Sequence, residues 1–381
     1  MFTSRVKLFR LFGFQVNADL SWFVVVVLLT WYLSVAVFPD PDFAPGLETA
    51  TYWAMGAAGT LLLFASIVLH ELGHALMARR FDVPIRGITL FIFGGVAEMS
   101  DEPPTARSEF LVAIAGPLVS VMLGISFLVA GGLGRGLGWP ATVTAVVLWT
   151  GVINLLLVLF NMVPAFPLDG GRVLRSALWQ WKGNLRWATR VTSTIGSLLG
   201  LAMIGLGVAI AITTGRLLDG LWLGLVGLFV RNAARMSYQQ LLLRRALEGE
   251  PVSRFMQTEP VAVPRAASVR ELVDRYVYRH HHKTFPVVDG DRLVGCVSTR
   301  EVRNLPREEW ERQTVGAIAE QCGAENTVPP DLDAMKALSL MSRTGSSRLL
   351  VAEGDRLLGI LSLKDLLKFF SLKMELGDQA E

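Results

Sequence analysis

The stretch that decides the fold is FASIVLHELGH, residues 64–74, which sets an H-E-x-x-H motif inside an apolar run. Residues four apart on a helix lie on the same face, so His70 and His74 point the same way. Two imidazoles at this spacing can hold one Zn²⁺, and Glu71 stands beside them where it can act as a general base. Charged groups inside a membrane helix are costly and usually functional, so the apolar surroundings favour a catalytic metal site.

The chain has 381 residues, of which 52% are hydrophobic, and its mean hydropathy is +0.44. Long apolar runs occupy roughly the first 240 residues, which predicts an integral membrane region followed by a soluble one. The predicted spans are at about 20–38, 51–77, 108–130, 140–160, 191–213 and 217–230, with a glycine-rich loop at 131–138. Two segments are too short to span: 8–16, expected as a hairpin or interfacial segment, and 84–99, expected as a strand pair or re-entrant loop.

The distribution of basic residues predicts the topology. The net charge of +3 is small, and Lys and Arg cluster beside the spans, which argues against nucleic-acid binding. One side of the membrane carries nearly all of them, whereas the other has only Arg135 and Arg216. The basic side is expected to be cytosolic, with both termini on it, in the plasma membrane, and with the metal motif near that face. Cys296 and Cys322 lack metal-like spacing, and no structural disulfide is expected.

A catalytic zinc needs a third protein ligand, and the other histidines, 280–282, lie in the distant tail. The fourth span breaks into NMVPAFPLDGGR, residues 161–172, whose prolines and glycines end a regular helix. Its Asp169 is an acidic residue in an apolar segment on the motif's side of the membrane. Asp169 could instead cap a helix over 170–181. The local sequence weighs the two roles evenly, and the need for a third ligand favours metal binding.

The charged tail contains an internal repeat. GDRLVG at 290–295 recurs as GDRLLG at 354–359, which predicts two homologous α+β modules, each a strand, a helix, two strands and a helix. The predicted domains are a membrane domain at 1–240, a helical linker at 241–250, modules at 251–312 and 313–373, and a tail at 374–381.

The motifs together resemble the site-2 protease family, intramembrane zinc metalloproteases of peptidase family M50. The resemblance rests on LHELGH, AGPL at 115–118 and N-x-x-P-x-x-P-L-D-G-G, and it is closest to the six-span prokaryotic branch with C-terminal CBS modules. It implies that His70, His74 and Asp169 bind one zinc, that Glu71 is the general base, and that Asn161 contacts substrate or a developing oxyanion. The expected substrates are single-span or membrane-anchored proteins within the lipid bilayer.

The expected fold is thus a multi-pass α-helical membrane protein, with six transmembrane helices and a short embedded β or re-entrant segment, followed by an α+β tandem CBS domain. Gly94 and Gly95 are predicted to help bind an unwound substrate strand. CBS pairs commonly bind adenosine nucleotides (ATP, ADP or AMP) and associate as homodimers. The nucleotide motif matches at Ser362 and Asp365, whereas Ser298 is followed by Glu301 in place of the aspartate.

Three alternatives stay open at this point. The tail could serve only dimerisation or docking. The whole chain could be a nucleotide-gated transporter or channel, although the membrane half shows no inverted repeat. It could also be a catalytically inactive membrane scaffold, although Glu71 and all three expected ligands are present.

Overall fold

A computed structural model describes residues 5–41, 43–92, 94–99 and 102–375. The chain forms two compact units, Met1–Gln239 and Gln240–Glu381. The predicted tail lies outside the described residues from residue 376 onward. Six helices of the described residues are long and apolar enough to cross a membrane, which confirms the multi-pass fold class.

Apolar helices dominate the first unit, and their lengths exceed the predicted spans at most ends. They are α1 (Leu20–Tyr32, continued as a π-helical segment over Leu33–Val37), α2 (Thr49–Arg79), α3 (Ala106–Gly136), α4 (Ala141–Asn161), α5 (Asp169–Lys182), α6 (Leu185–Thr214) and α7 (Leu217–Leu247). Helix α5 is the amphipathic exception, since it is too short and too polar to span. The helix-breaking segment at 162–168 separates it from α4.

The predicted glycine-rich loop at 131–138 is wrong over most of its length, because α3 continues to Gly136. A Cβ atom on Gly131 would lie 2.6 Å from Leu148 Cδ2 on α4, and one on Gly134 would collide with the ring of Trp139. Gly131 lets α3 and α4 approach closely, and Gly134 leaves space for the Trp139 ring in the connection between the two helices. The packing gained outweighs the low helix propensity of glycine.

A four-stranded sheet contains the two short segments at 8–16 and 84–99, whose pairing the sequence did not predict. Its strands are β1 (Arg5–Leu11), β2 (Phe14–Asp19), β3 (Ile85–Phe91) and β4 (Gly94–Met99), in the order β1-β2-β3-β4. Both hairpins are antiparallel, and the central pair is parallel, with Val16 opposite Ile88. The strand pair expected at 84–99 is confirmed, and β4 is an edge strand.

The second unit contains two repeats of strand, helix, two strands and helix, as predicted. The elements are the 3₁₀ turn Val252–Arg254, β5 (Val263–Pro264), α8 (Val269–Glu271), the π segment Leu272–Val277, α9 (Tyr278–His280), β6 (Thr284–Asp289), β7 (Arg292–Ser298), α10 (Thr299–Arg303), the 3₁₀ turn Arg307–Glu309, α11 (Val315–Ile318), β8 (Glu320–Gln321), β9 (Thr327–Val328), α12 (Ala334–Thr344), β10 (Arg348–Glu353), β11 (Arg356–Ser362) and α13 (Leu363–Glu375). One seven-stranded sheet runs β5-β6-β7-β11-β10-β9, with β8 beside β7. Each repeat has its own apolar core.

Candidate active site

Helix α2 brings His70 and His74 to one buried face, with Nε2 atoms 3.2 Å apart. Each side chain is only 3% exposed. The other ring nitrogen of each is held by α3: His70 Nδ1 lies 2.9 Å from Ser120 Oγ, and His74 Nδ1 lies 2.7 Å from the Val112 carbonyl oxygen. Such partners fix the orientation of a metal-binding imidazole.

Asp169 is the first residue of α5, and its carboxylate faces both imidazoles. Oδ2 lies 3.1 Å from His70 Nε2, and Oδ1 lies 3.3 Å from His74 Nε2. The N-cap of α5 is Leu168, and no side chain caps this helix, so the alternative cap role for Asp169 is wrong. A Cβ on Gly170 would lie 2.5 Å from the Val163 carbonyl oxygen. Glycine at this position lets the helix fold back against the broken segment and aims Asp169 inward.

The three side chains fit a tetrahedral metal ion. Ligands at 2.0–2.1 Å from zinc stand about 3.3 Å from one another, which matches the separations of these donor atoms. The Val112 carbonyl can only accept, so Nδ1 of a neutral His74 carries the proton and its Nε2 presents a lone pair. That lone pair, the Asp169 carboxylate and the His70 ring can then offer one donor atom each to a single cation. The absence of a side chain at Gly116 leaves space next to the imidazoles, since a Cβ there would lie 2.7 Å from His70 Nε2.

Strand β4 positions Glu71. The Ala97 N–H donates a 3.0 Å hydrogen bond to Glu71 Oε2, which leaves Oε1 available for proton transfer. A Cβ on Gly95 would lie 2.8 Å from Glu71 Cγ, so the strand can approach this close only with glycine there. The carboxylate therefore stands at the outer edge of the sheet, beside the two imidazoles.

One cleft of about 620 Å³ contains all the site residues predicted for the membrane domain. His70, Glu71, His74 and Asp169 line it together with Asn161, Gly94 and Gly95. Asn161 is the last, half-buried residue of α4. Gly94 has φ +129°, a backbone conformation that favours glycine, and nothing approaches the place of its missing side chain. The remaining wall is mostly apolar and comes from β3, β4, the end of α4 and α7, with Met203 from α6.

The predicted nucleotide residues cap two helices of the tail. Asp365 Oδ2 accepts hydrogen bonds from the Ser362 N–H at 3.1 Å and from its hydroxyl at 2.5 Å, at the start of α13. Glu301 and Ser298 form the equivalent capping box of α10.

Each of these caps borders a separate cleft. The Asp365 cleft measures about 980 Å³, and the Glu301 cleft about 420 Å³. The Asp365 cleft has one acidic residue, Asp365, against three residues that are basic at neutral pH, Arg348, Lys364 and Lys368, and His281 and His282 also line it. The Glu301 cleft balances three acidic against three basic residues. Burial and the nearby Arg348 lower the pKa of His282, so its ring is neutral at pH 7.

Sequence reasoning missed the partners of the ligands. It expected a group orienting each imidazole but named none. Ser120 could have been found as a polar residue on the α3 helix, whereas a backbone carbonyl such as that of Val112 has no sequence signal. The role of Gly116 in leaving room between the imidazoles was also missed.

Comparison with known proteins identifies the family of the chain. The pattern of Peptidase family M50 matches residues 58–138 and 136–204, and that of the CBS domain matches 252–308 and 325–372. The zinc metalloprotease Rip3 of Mycobacterium tuberculosis is 34% identical over 369 residues, covering 96% of this chain and 93% of that protein. Zinc metalloprotease MJ0392 of Methanocaldococcus jannaschii is 31% identical over 378 residues, covering 98% and 99%.

A solved structure, the site-2 protease from Methanocaldococcus jannaschii, is 30% identical, covers 62% of this chain and 95% of that one, and superposes with a TM-score of 0.44. The identity with the two metalloproteases extends over nearly the whole chain, tail included. The chain therefore belongs to peptidase family M50 as a zinc metalloprotease of the site-2 protease type, with a C-terminal CBS domain.

Proposed function

We propose that this zinc metalloprotease is an intramembrane endopeptidase that cleaves the transmembrane segments of membrane-anchored proteins. The observation that carries the proposal is the convergence of two histidines, an aspartate and a glutamate in one cleft whose remaining wall is mostly apolar. A soluble substrate would gain little from such walls, whereas an apolar segment would bury its side chains there. The same convergence favours a protease over a gated transporter or an inactive scaffold.

One zinc ion per chain would be held by His70, His74 and Asp169. When bound, it polarises the scissile carbonyl and makes water a stronger acid. Glu71 accepts the proton of the attacking water at its free Oε1 and returns it to the leaving amine. Asn161, which lines the same cleft, donates a hydrogen bond to the substrate or to the developing oxyanion.

The edge of β4 is suited to holding an unwound substrate. A transmembrane helix hides its peptide bonds in its own hydrogen bonds, so it must open locally before cleavage. An extended segment could then pair with the free edge of β4 by β-augmentation. Because Gly95 and Ala97 contact Glu71, pairing at that edge would bring the opened peptide bonds to the general base.

The decisive experiment is co-expression with a single-span candidate substrate, comparing wild type with Glu71→Gln. The wild type should cleave, and the variant should lose at least a hundredfold in rate, because it keeps the shape of the side chain but cannot accept the proton. Equal cleavage by the variant would end the protease proposal. Zinc content of His74→Ala and Asp169→Asn protein tests the ligand set independently, since each variant should bind less zinc than wild type.

The CBS domain is proposed to bind one adenosine nucleotide (ATP, ADP or AMP) and thereby to modulate cleavage. The Asp365 cleft is the favoured site, because its excess of basic groups suits an anionic ligand. The Glu301 cleft, with balanced charges and Glu301 in place of aspartate, is a weaker candidate. The same domain is the proposed route to a homodimer.

Topology and domain boundaries also stay proposals. We infer cytosolic N- and C-termini in the plasma membrane from the one-sided distribution of Lys and Arg. The membrane domain is proposed to end at residue 240, followed by the linker at 241–250, the modules at 251–312 and 313–373, and the tail. Reporter fusions at each predicted loop would test the topology.

A further inference from the structure

Arg172 is the one Lys or Arg among the described residues that line the active-site cleft. It lies on α5 one turn after Asp169, so both side chains leave the same face of the helix. A cation in a mostly apolar cleft is costly unless it has a partner. Glu109, Asp169 and Glu102 lie near enough to attract the Arg172 guanidinium, but its hydrogen bond among the described residues goes to none of them.

The guanidinium is poorly satisfied within the described part of the chain. Its hydrogen bond there goes from Nη2 to the thioether of Met99, at 3.3 Å, and sulfur is a weak acceptor. Arg175, one turn further along α5, is the opposite case. Its Nε donates to Glu109 Oε1 at 2.5 Å, its Nη1 lies 3.5 Å from Glu102 Oε1, and its plane stacks 5.0 Å from the Phe166 ring centre. Arg175 thus has two carboxylate partners, whereas the only hydrogen bond of Arg172 among the described residues goes to a sulfur.

The contact with Met99 fixes where that ligand would lie. Met99 is the last residue of β4, two residues beyond Ala97, whose N–H binds Glu71. Two residues of a strand span about 7 Å, and side chains two apart face the same side. A substrate strand paired with β4 would thus present to Arg172 the side chain two residues away from the position beside Glu71.

We propose that Arg172 is a specificity-determining residue, which binds a substrate carboxylate two residues from the scissile bond. The fork of N–H groups matches the two oxygens of Asp or Glu, and such bidentate pairs are the strongest for a guanidinium. A substrate carboxylate would replace the Met99 sulfur as the acceptor of the Arg172 hydrogen bond, and little binding energy is lost because sulfur is a weak acceptor. The inference rests on the proposed function, because it needs a substrate strand on β4.

The test uses the full-length zinc enzyme in liposomes and a single-span substrate that wild type cleaves at a mapped bond. Asp, Asn or Lys is installed at each of the three positions on either side of that bond. Wild type should cleave the Asp substrate with kcat/KM at least tenfold above the Asn substrate at one position, two residues from the bond. Arg172→Glu should reverse the order at that position and prefer Lys.

Two further variants make the result specific to Arg172. Arg172→Gln should lose the preference for Asp over Asn while zinc content stays at the wild-type level, and it covers the case in which Arg172→Glu fails to fold. Arg107→Glu makes the same charge change at an exposed position outside the cleft and should keep the wild-type preference.

Wild type that cleaves well without discriminating Asp, Asn and Lys at any position overturns the inference and leaves the protease intact. A preference for Asp that survives in both Arg172 variants also overturns it. If no substrate is cut more by wild type than by Glu71→Gln, the proposed function itself fails.

Discussion

Gly116 is the residue whose substitution should damage the metal site most directly. A methyl group at this position would lie 2.7 Å from His70 Nε2, and closer still to His74 Nε2, whereas ordinary contacts begin at 3.4 Å. The His70 ring would have to retreat by about 0.7 Å and the His74 ring by more. Their other nitrogens are tied to α3, the helix that carries the methyl group, so retreat breaks those bonds too.

A ligand displacement of this size is expected to cost Gly116→Ala about a hundredfold in zinc affinity, or about 2.7 kcal/mol, and at least as much in turnover. Zinc affinity is measured by titration against a competing chelator, and turnover by cleavage of a single-span substrate. Gly132→Ala is the matched control, because it lies in the same helix and nothing stands within 4 Å of the added atom. It should keep both zinc and activity.

Retention of full zinc affinity and turnover by Gly116→Ala would refute the reasoning. It would mean either that the imidazoles move without cost or that the metal does not lie between them. Equal losses in Gly116→Ala and Gly132→Ala would point to a general sensitivity of α3 instead, and the proposed geometry of the site would gain no support.

Three other outcomes are expected. Gly95→Val should lower kcat at least tenfold without loss of zinc, because its side chain collides with the catalytic carboxylate; unchanged turnover would count against the role of β4. Asp365→Ala should weaken adenosine-nucleotide binding at least tenfold in calorimetry, whereas Glu301→Ala, which removes the equivalent helix cap, should change it little; equal effects would indicate mere destabilisation. Burial raises the pKa of Cys296 to about 12, so only about one thiol in ten thousand is ionised at pH 8, and iodoacetamide should label the exposed Cys322 alone in native protein. Labelling that persists in Cys322→Ser protein would contradict this.

The sequence predicted those parts of the fold that depend on interactions between residues close together in the chain. The spacing of His70 and His74 follows from helix geometry, and the six spans follow from the length of apolar runs. The helix break at Pro164 and Pro167 indicated that Asp169, which follows it, could turn toward the interior of the helix bundle. Each of these three features can be predicted from residues that are neighbours in the sequence.

Contacts between segments that are far apart in the sequence could not be predicted from such local patterns. Nothing local indicates that Val16 lies opposite Ile88, because the register of a parallel pair is settled by the tertiary packing of both segments. Gly131 and Gly134 resembled loop residues, because the sequence does not show that Leu148 of α4 and Trp139 pack against them. The contact between Arg172 and Met99 likewise depends on how α5 meets β4.

The parallel pairing of β2 with β3 also sets an order of events during synthesis. The paired residues are roughly 70 apart, so at 5–20 residues per second β2 waits about 4–14 s before β3 leaves the ribosome. Two spans must enter the membrane in that interval, while one side of the N-terminal hairpin stays open. The first strands made are therefore a template for the strand that later borders the cleft.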